Sequence, residues 1–370
     1  MKPTTVAFGS SGNEQPAVLF RTVRSGLVHG ALALAAAFSV PGISVADEGG
    51  VSFWLPGLYG SLSAVPQAAP GWSLLTFNYY TNVSAGANVS AAREVEIGRL
   101  PSTTATANLS ANLHAQADLQ WIQPNYAFAT PVLGGQLTMS MASFVGWQRA
   151  DLSGTLQVTA PPLPPFTRSD SINSSVTGFG DLYPAVALRW HDGVNNFLIY
   201  GTGDIPVGAY DSTRLANLGI GHGAADGGVG YTYLNPATGH EFSAVAGLTY
   251  NLENPSTNYK NGVDFHLDWA ASQYLSKQIF VGPVGYVYDQ LSCDIGTGDR
   301  VGCFESRVVG IGPQIGYLFP IGTMQGYLNF KAYAEFDAAA RPSGWNAWVT
   351  FVLSPTAPIP TAASRPMITK

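Results

Sequence analysis

The chain of 370 residues carries 42 Gly, 17 Tyr, 18 Phe and 8 Trp, while Asp, Glu, Lys and Arg together make up 11% of it. A soluble domain holds roughly 25% charged residues, so the deficit calls for disorder or an apolar surrounding. The aromatics are spread along almost the whole chain, which excludes general disorder and leaves a membrane surface.

The first segment reads as a secretory signal peptide over residues 1–46. Arg21 and Arg24 precede an apolar run from Leu27 to Phe38, followed by Pro41-Gly42 and the small-x-small triplet Ser44-Val45-Ala46. The run falls short of the ~20 apolar residues that a membrane helix needs. Cleavage would leave Asp47 as the new N-terminus. Without Lys2, Arg21, Arg24 and Glu14, the remainder has 14 basic against 22 acidic residues. No basic patch runs through it, so nucleic acid is not expected as a partner.

Residues 47–70 form a lead-in or partial plug before the first strand. The stretch Phe53-Trp54-Leu55-Pro56-Gly57-Leu58-Tyr59-Gly60 precedes Pro66 and Pro70-Gly71. Phe53, Trp54, Leu55, Leu58 and Tyr59 are candidates for a plug or hydrophobic pocket wall. The competing placement is a periplasmic segment packed beneath the barrel.

From residue 71 onward the chain repeats segments of about ten residues with period-two alternation. Leu137, Met139, Met141, Val145 and Trp147 fall on one face of such a segment, and Gln136, Thr138, Ser140, Ala142 and Gly146 on the other, with Phe144 as the exception. Asp264, His266 and Asp268 alternate against Val263, Phe265, Leu267 and Trp269. No stretch beyond residue 47 offers about 18 consecutive apolar residues, which excludes ordinary membrane helices.

Twelve strands are predicted, near 71–82, 111–128, 136–149, 179–191, 195–206, 226–235, 240–251, 262–275, 279–290, 306–318, 324–336 and 345–353. Long connections alternate with tight ones such as Asp192-Gly193 and Phe319-Pro320-Ile321-Gly322. Hydrocarbon leaves no partner for an open sheet edge, so the strands must close on themselves. The fold expected over residues 71–353 is therefore all-β, a closed antiparallel transmembrane β-barrel of 12 strands, with outer-membrane lipid around it. A monomer is favoured, because closure completes the sheet without a partner. Pro124 within the second strand marks a bulge, a split element or an error of assignment. Residues 354–370, with four prolines, form a C-terminal tail. Most of Trp72, Trp121, Trp147, Trp190, Trp269, Trp345 and Trp348 are expected at the lipid headgroups.

A series of short motifs runs through this repeat. Val176-Thr177-Gly178-Phe179-Gly180-Asp181-Leu182-Tyr183-Pro184 is followed by Gly201-Thr202-Gly203-Asp204-Ile205-Pro206-Val207-Gly208, then Thr238-Gly239-His240-Glu241, Phe265-His266-Leu267-Asp268 and Gly310-Ile311-Gly312-Pro313-Gln314. In order and spacing the set resembles the family called Putative MetA-pathway of phenol degradation, transporter-like outer-membrane proteins. The resemblance runs from about Trp54 to Leu353 and is strongest over 176–318. It implies a Gram-negative outer-membrane barrel associated with uptake of hydrophobic or aromatic compounds. It does not imply that this polypeptide hydroxylates phenol.

Charged and polar positions within strands and at loop bases are the candidate lumen or rim residues: Asp118, Arg149, Asp181, Arg189, Asp204, Asp264, His266, Asp268, Glu305, Arg307, Lys331, Glu335 and Asp337. Asp181 and Asp204 each follow a Gly-x-Gly step, where a carboxylate can take backbone N–H bonds and pin a rim loop. Neither step has the strand-to-helix context of a dinucleotide site, so no nucleotide cofactor is expected. The spacing of Asp264, His266 and Asp268 does not by itself define a metal shell. Cys293 and Cys303 are expected to form a local disulfide. No catalytic set can be inferred, because nucleophile and base must lie within hydrogen-bond reach. The function expected is passive passage of small hydrophobic or aromatic molecules. The alternatives are a structural or adhesive barrel with an occluded lumen, and an enzyme built from loop carboxylates and His266.

Overall fold

Alternation of side chains across a pleated strand becomes, in a closed sheet, alternation between lumen and lipid. The computed structural model describes residues 52–95, 103–162, 164–298, 303 and 305–356. The predicted signal peptide and the tail beyond residue 356 lie outside the described residues. Thirteen strands follow one another: β1 (Gly71–Val95), β2 (Thr103–Ala127), β3 (Gln136–Thr159), β4 (Phe166–Phe179), β5 (Tyr183–Asp192), β6 (Asn195–Asp204), β7 (Ala224–Asn235), β8 (His240–Asn251), β9 (Val263–Tyr274), β10 (Ile279–Gln290), β11 (Arg307–Ile321), β12 (Met324–Ala339) and β13 (Ser343–Pro355).

All pairings are antiparallel, and β1 closes on β13 from Leu74↔Leu353 to Ser84↔Ser343. The barrel has twelve staves, because β4 and β5 are two parts of one. Both pair with β3, β4 through Val145↔Phe179 and β5 through Ala142↔Tyr183. Between those pairs Gly180, Asp181 and Leu182 face only Ser143 and Phe144, a bulge of one extra residue. Gly180 N–H donates to Phe144 O at 2.8 Å. A Cβ at Gly180 would stand 2.2 Å from the Phe144 ring, so the bulge needs glycine.

The wall shows the expected parity on β9. Asp264, His266, Asp268 and Ala270 are buried, alternating with less buried Phe265, Leu267 and Trp269. The outward faces of other strands expose Ile199, Val229, Phe242, Ile315, Phe330 and Val349. This apolar belt around a closed sheet is what a membrane-spanning barrel requires. Trp72 and Trp345 are exposed outside it, whereas Trp121 and Trp348 are buried in the interior. These last two depart from the expected headgroup placement because they pack against Phe77 and Tyr79 within the lumen.

The connections that the sequence suggests as loops at 83–110 and 150–178 are largely strand. β1 pairs with β2 out to Val95↔Thr103, and β3 pairs with β4 out to Val158↔Phe166. These extensions are rich in Ser, Asn, Thr, Gly and Ala and do not carry a lasting apolar alternation. Pro124 lies within β2 opposite Leu74, and the ladder to β3 is interrupted there, passing from Ile122↔Ser143 to Asn125↔Ser140 without a shift in register.

Candidate functional site

The lumen is occupied by the chain's own N-terminal segment. Residues 52–70 run from the long-loop end, where Arg341 Nη2 donates to Ser52 Oγ at 3.3 Å, to the short-turn end. There Gln67 N–H donates to Gln136 Oε1 at 2.8 Å and Gln136 Nε2 returns a bond to Gln67 O at 3.0 Å. An irregular segment inside a barrel carries backbone groups that the wall must satisfy. Polar inward side chains do so along its length.

The turn at Gly57–Tyr59 is held by opposite charges. Asp268 accepts the N–H of Gly57 at 2.8 Å and of Tyr59 at 3.0 Å. Lys331 Nζ donates to the carbonyls of Gly57, Leu58 and Tyr59, the last two at 3.1 and 3.3 Å. Gly57 has φ +90°, and a Cβ there would meet the Tyr333 ring at 3.0 Å, so this turn also requires glycine. Farther along, Glu241 accepts Ser61 Oγ at 2.8 Å and Leu62 N–H at 3.0 Å, and Thr232 Oγ1 accepts Ala64 N–H at 3.1 Å.

Trp54 stacks on His266 with ring centroids 3.5 Å apart. Beneath the stack, His266 Nε2 lies 2.9 Å from Asp226 Oδ2, which also accepts Thr249 Oγ1 at 2.6 Å. Asp264 instead accepts Asn251 Nδ2 at 2.8 Å. The three alternating residues of β9 therefore serve three separate partners: Asn251, the Asp226 carboxylate and the plug backbone.

Asp181, in the bulge between β4 and β5, draws the β6–β7 loop over the lumen. It accepts Gly208 N–H at 2.6 Å and Ile220 N–H at 2.9 Å. Ala216, Leu218 and Ile220 of that loop are almost wholly buried. His222 closes the loop with Nδ1 3.0 Å from Gly223 O, and burial pushes its pKa below the usual histidine value. Asp204 is buried at the end of β6 beside Tyr183.

Two cavities flank the plug. The one toward the short-turn end is about 110 Å³, walled by Phe53, Trp54, Trp121, Phe144 and Tyr183 on one side and by Gln123, Asn125, Thr138, Ser140 and Arg189 on the other. The second, about 100 Å³, lies among Tyr79, Leu218, Glu335 and Arg341. They share Ser52, Leu55, Leu119 and Phe144 as their common partition. Glu335 is itself fixed by Tyr286 OH at 2.7 Å and Gly344 N–H at 2.9 Å. Phe53, Trp54, Leu55, Leu58 and Tyr59 all line the first cavity.

The remaining predicted positions do not meet in the lumen. Asp118 is turned to the outer wall, where it accepts Asn78 Nδ2 at 2.7 Å, while its neighbours Leu119 and Trp121 point inward. This corrects its expected placement. The lumen here is apolar, and Asp118 pairs across the sheet with Tyr80 and Trp147, at a level where the outside can be polar. Arg149 and Asp151 form an exposed pair at 2.8 Å on the β3 extension, and Arg307 and Asp337 another at 3.0 Å. Glu305 is exposed in the β10–β11 loop, which the Cys293–Cys303 disulfide closes. Conversely, Glu241, Asp226, Tyr200 and Gln314 take part in the site without having been singled out. Asp226 and Glu241 lie within the strands predicted at 226–235 and 240–251, where nothing local marks their partners.

A closed, plugged barrel with an apolar belt is the architecture of a bacterial outer-membrane protein. The family model described as Putative MetA-pathway of phenol degradation matches residues 98–351, and the chain belongs to that family. No curated protein matches it. Among solved structures, it is similar to the COG4313 outer membrane channel from Pseudomonas putida F1, at 12% identity and a TM-score of 0.49, covering 81% of this chain and 98% of that one. A Pseudomonas aeruginosa FadL homologue is similar at 10% identity and a TM-score of 0.33, covering 85% of this chain and 98% of the other. Both likenesses are distant, and the barrel assignment stands on the strand pairing itself.

Proposed function

We propose that the chain is a passive outer-membrane conduit of Gram-negative bacteria for small hydrophobic or aromatic molecules. Its resistance is set by residues 52–70 and by the β6–β7 loop. The observation that carries this reading is the pair of cavities along the plug, the inner one lined by seven aromatic side chains. A solute entering from the long-loop side would meet the outer cavity first, cross the partition at Leu55 and Phe144, and leave past Arg189 toward the periplasm. The plug's bonds to the wall are many and individually modest, so rearrangement of one stretch need not unfold the barrel. No energy source within the chain is invoked, and a monomer suffices.

The test is solute flux into liposomes holding the purified, folded protein. Entry of small aromatic solutes above that of empty liposomes supports the conduit. Absence of flux with folding and insertion intact overturns it. A structural or adhesive role draws on one specific observation, the extension of β1–β4 as a polar sheet past the apolar belt. That role predicts binding to a surface partner without flux.

A further inference from the structure

Among the described residues, Arg189 is the one charged side chain lining the inner cavity. Three charges beside the plug are engaged with it: Lys331 by three plug carbonyls, Asp268 by two plug N–H groups, Glu241 by Ser61 and Leu62. Arg189 makes a single long bond, Nε to Ser63 O at 3.3 Å. Its two Nη groups have no hydrogen-bond partner, and no carboxylate pairs with it, among the described residues. A half-buried guanidinium with no anion beside it would gain two parallel, charge-assisted N–H bonds from an incoming carboxylate.

The surroundings define the rest of such a ligand. Toward the short-turn end the lining is polar, with Thr138 and with Gln123, Asn125 and Ser140, which hydrogen-bond to one another. On the opposite side lie Trp54, Trp121, Phe144 and Tyr183, with Trp121 stacked near Phe144 and tilted against Tyr183. The cavity of about 110 Å³ is of the order of the roughly 150 Å³ space that accepts benzene, which suits one ring and not two. From this arrangement we infer that the inner cavity is a binding site for a monocyclic aromatic carboxylate, its ring among the aromatics and its carboxylate on Arg189. The inference rests on the reading of the barrel as a conduit for aromatic solutes and narrows it to acids.

Binding is measured on the folded full chain in detergent, through the emission of its tryptophans, two of which line the cavity. The probes are benzoate and its neutral isostere benzamide at neutral pH. Benzoate is expected to bind at least about tenfold more tightly, as one charge-assisted pair of hydrogen bonds provides. In Arg189→Gln that preference should shrink to within about twofold. Equal affinity for the two probes, no binding of either, or a preference that survives in the variant overturns the assignment. The comparison on the unaltered protein needs no variant to fold. Failure of the conduit reading shows separately, as benzoate binding without flux of either probe into liposomes.

Discussion

Trp54 lies flat on His266, ring centroids 3.5 Å apart and planes 14° from parallel, so the plug's largest side chain rests on the β9 wall. Tyr59 and Tyr200 surround the same indole at 5.8 and 6.2 Å. Truncation of a buried ring of this size costs about 3–5 kcal/mol in tightly packed interiors. Trp54→Ala is therefore expected to release this part of the plug while leaving the closed sheet intact. Liposome leakage of small solutes should rise, with heat-modifiable migration of the barrel unchanged.

Asp268 and Lys331 hold one turn from opposite polarities, the carboxylate on its N–H groups and the ammonium on its carbonyls. Removing either leaves the other buried without its counterpart, at a cost of about 3–5 kcal/mol. Asp268→Asn and Lys331→Met are each expected to destabilise the protein by that order. The double substitution should cost clearly less than the sum, as coupled sites do. Denaturant unfolding of the four proteins measures the cycle, and strict additivity would show that the two act independently.

His222 makes the packing of the β6–β7 loop pH-dependent. Burial favours its neutral form, although the nearby Asp181 carboxylate pulls the other way. Its native pKa therefore lies below the unfolded value of 6.5. The unfolded loop takes up the proton first, so the stabilisation is complete above pH about 6.5 and declines as pH falls toward the depressed native value. Amide exchange at Leu218 and Ile220, corrected for its intrinsic pH dependence, is expected to quicken from pH 7 to pH 5. In His222→Gln that acceleration should disappear.

How far the sequence reveals this protein depends on where each strand lies. β5 to β13 and the short-turn parts of β1 to β3 cross the apolar belt, and alternation such as Asp264-Phe265-His266-Leu267-Asp268 gives their location and parity directly. Past the belt, both faces of a strand meet water. Stretches such as Ser169-Asp170-Ser171-Ile172-Asn173-Ser174-Ser175 in β4 then carry no period and read as loop. The same logic misplaces Asp118, since polar-inside parity inverts where the lumen is filled by Leu119 and Trp121. Lys331 and Asp268 are recognisable as lumen candidates, but their shared turn at Gly57 lies 274 residues from Lys331 and has no local signature. Glu241 and Asp226 meet the plug and His266 through contacts distant in sequence.

Residues 52–70 are expected to throttle a solute path through the lumen they occupy. This is tested most directly by single-channel conductance of the barrel with and without residues 53–66 in planar bilayers. If the segment sets the resistance, its deletion should raise conductance by about an order of magnitude or more, as clearing the lumen of an eight-plus-strand barrel opens space for water and ions. Equal conductance of two properly folded barrels would contradict the account.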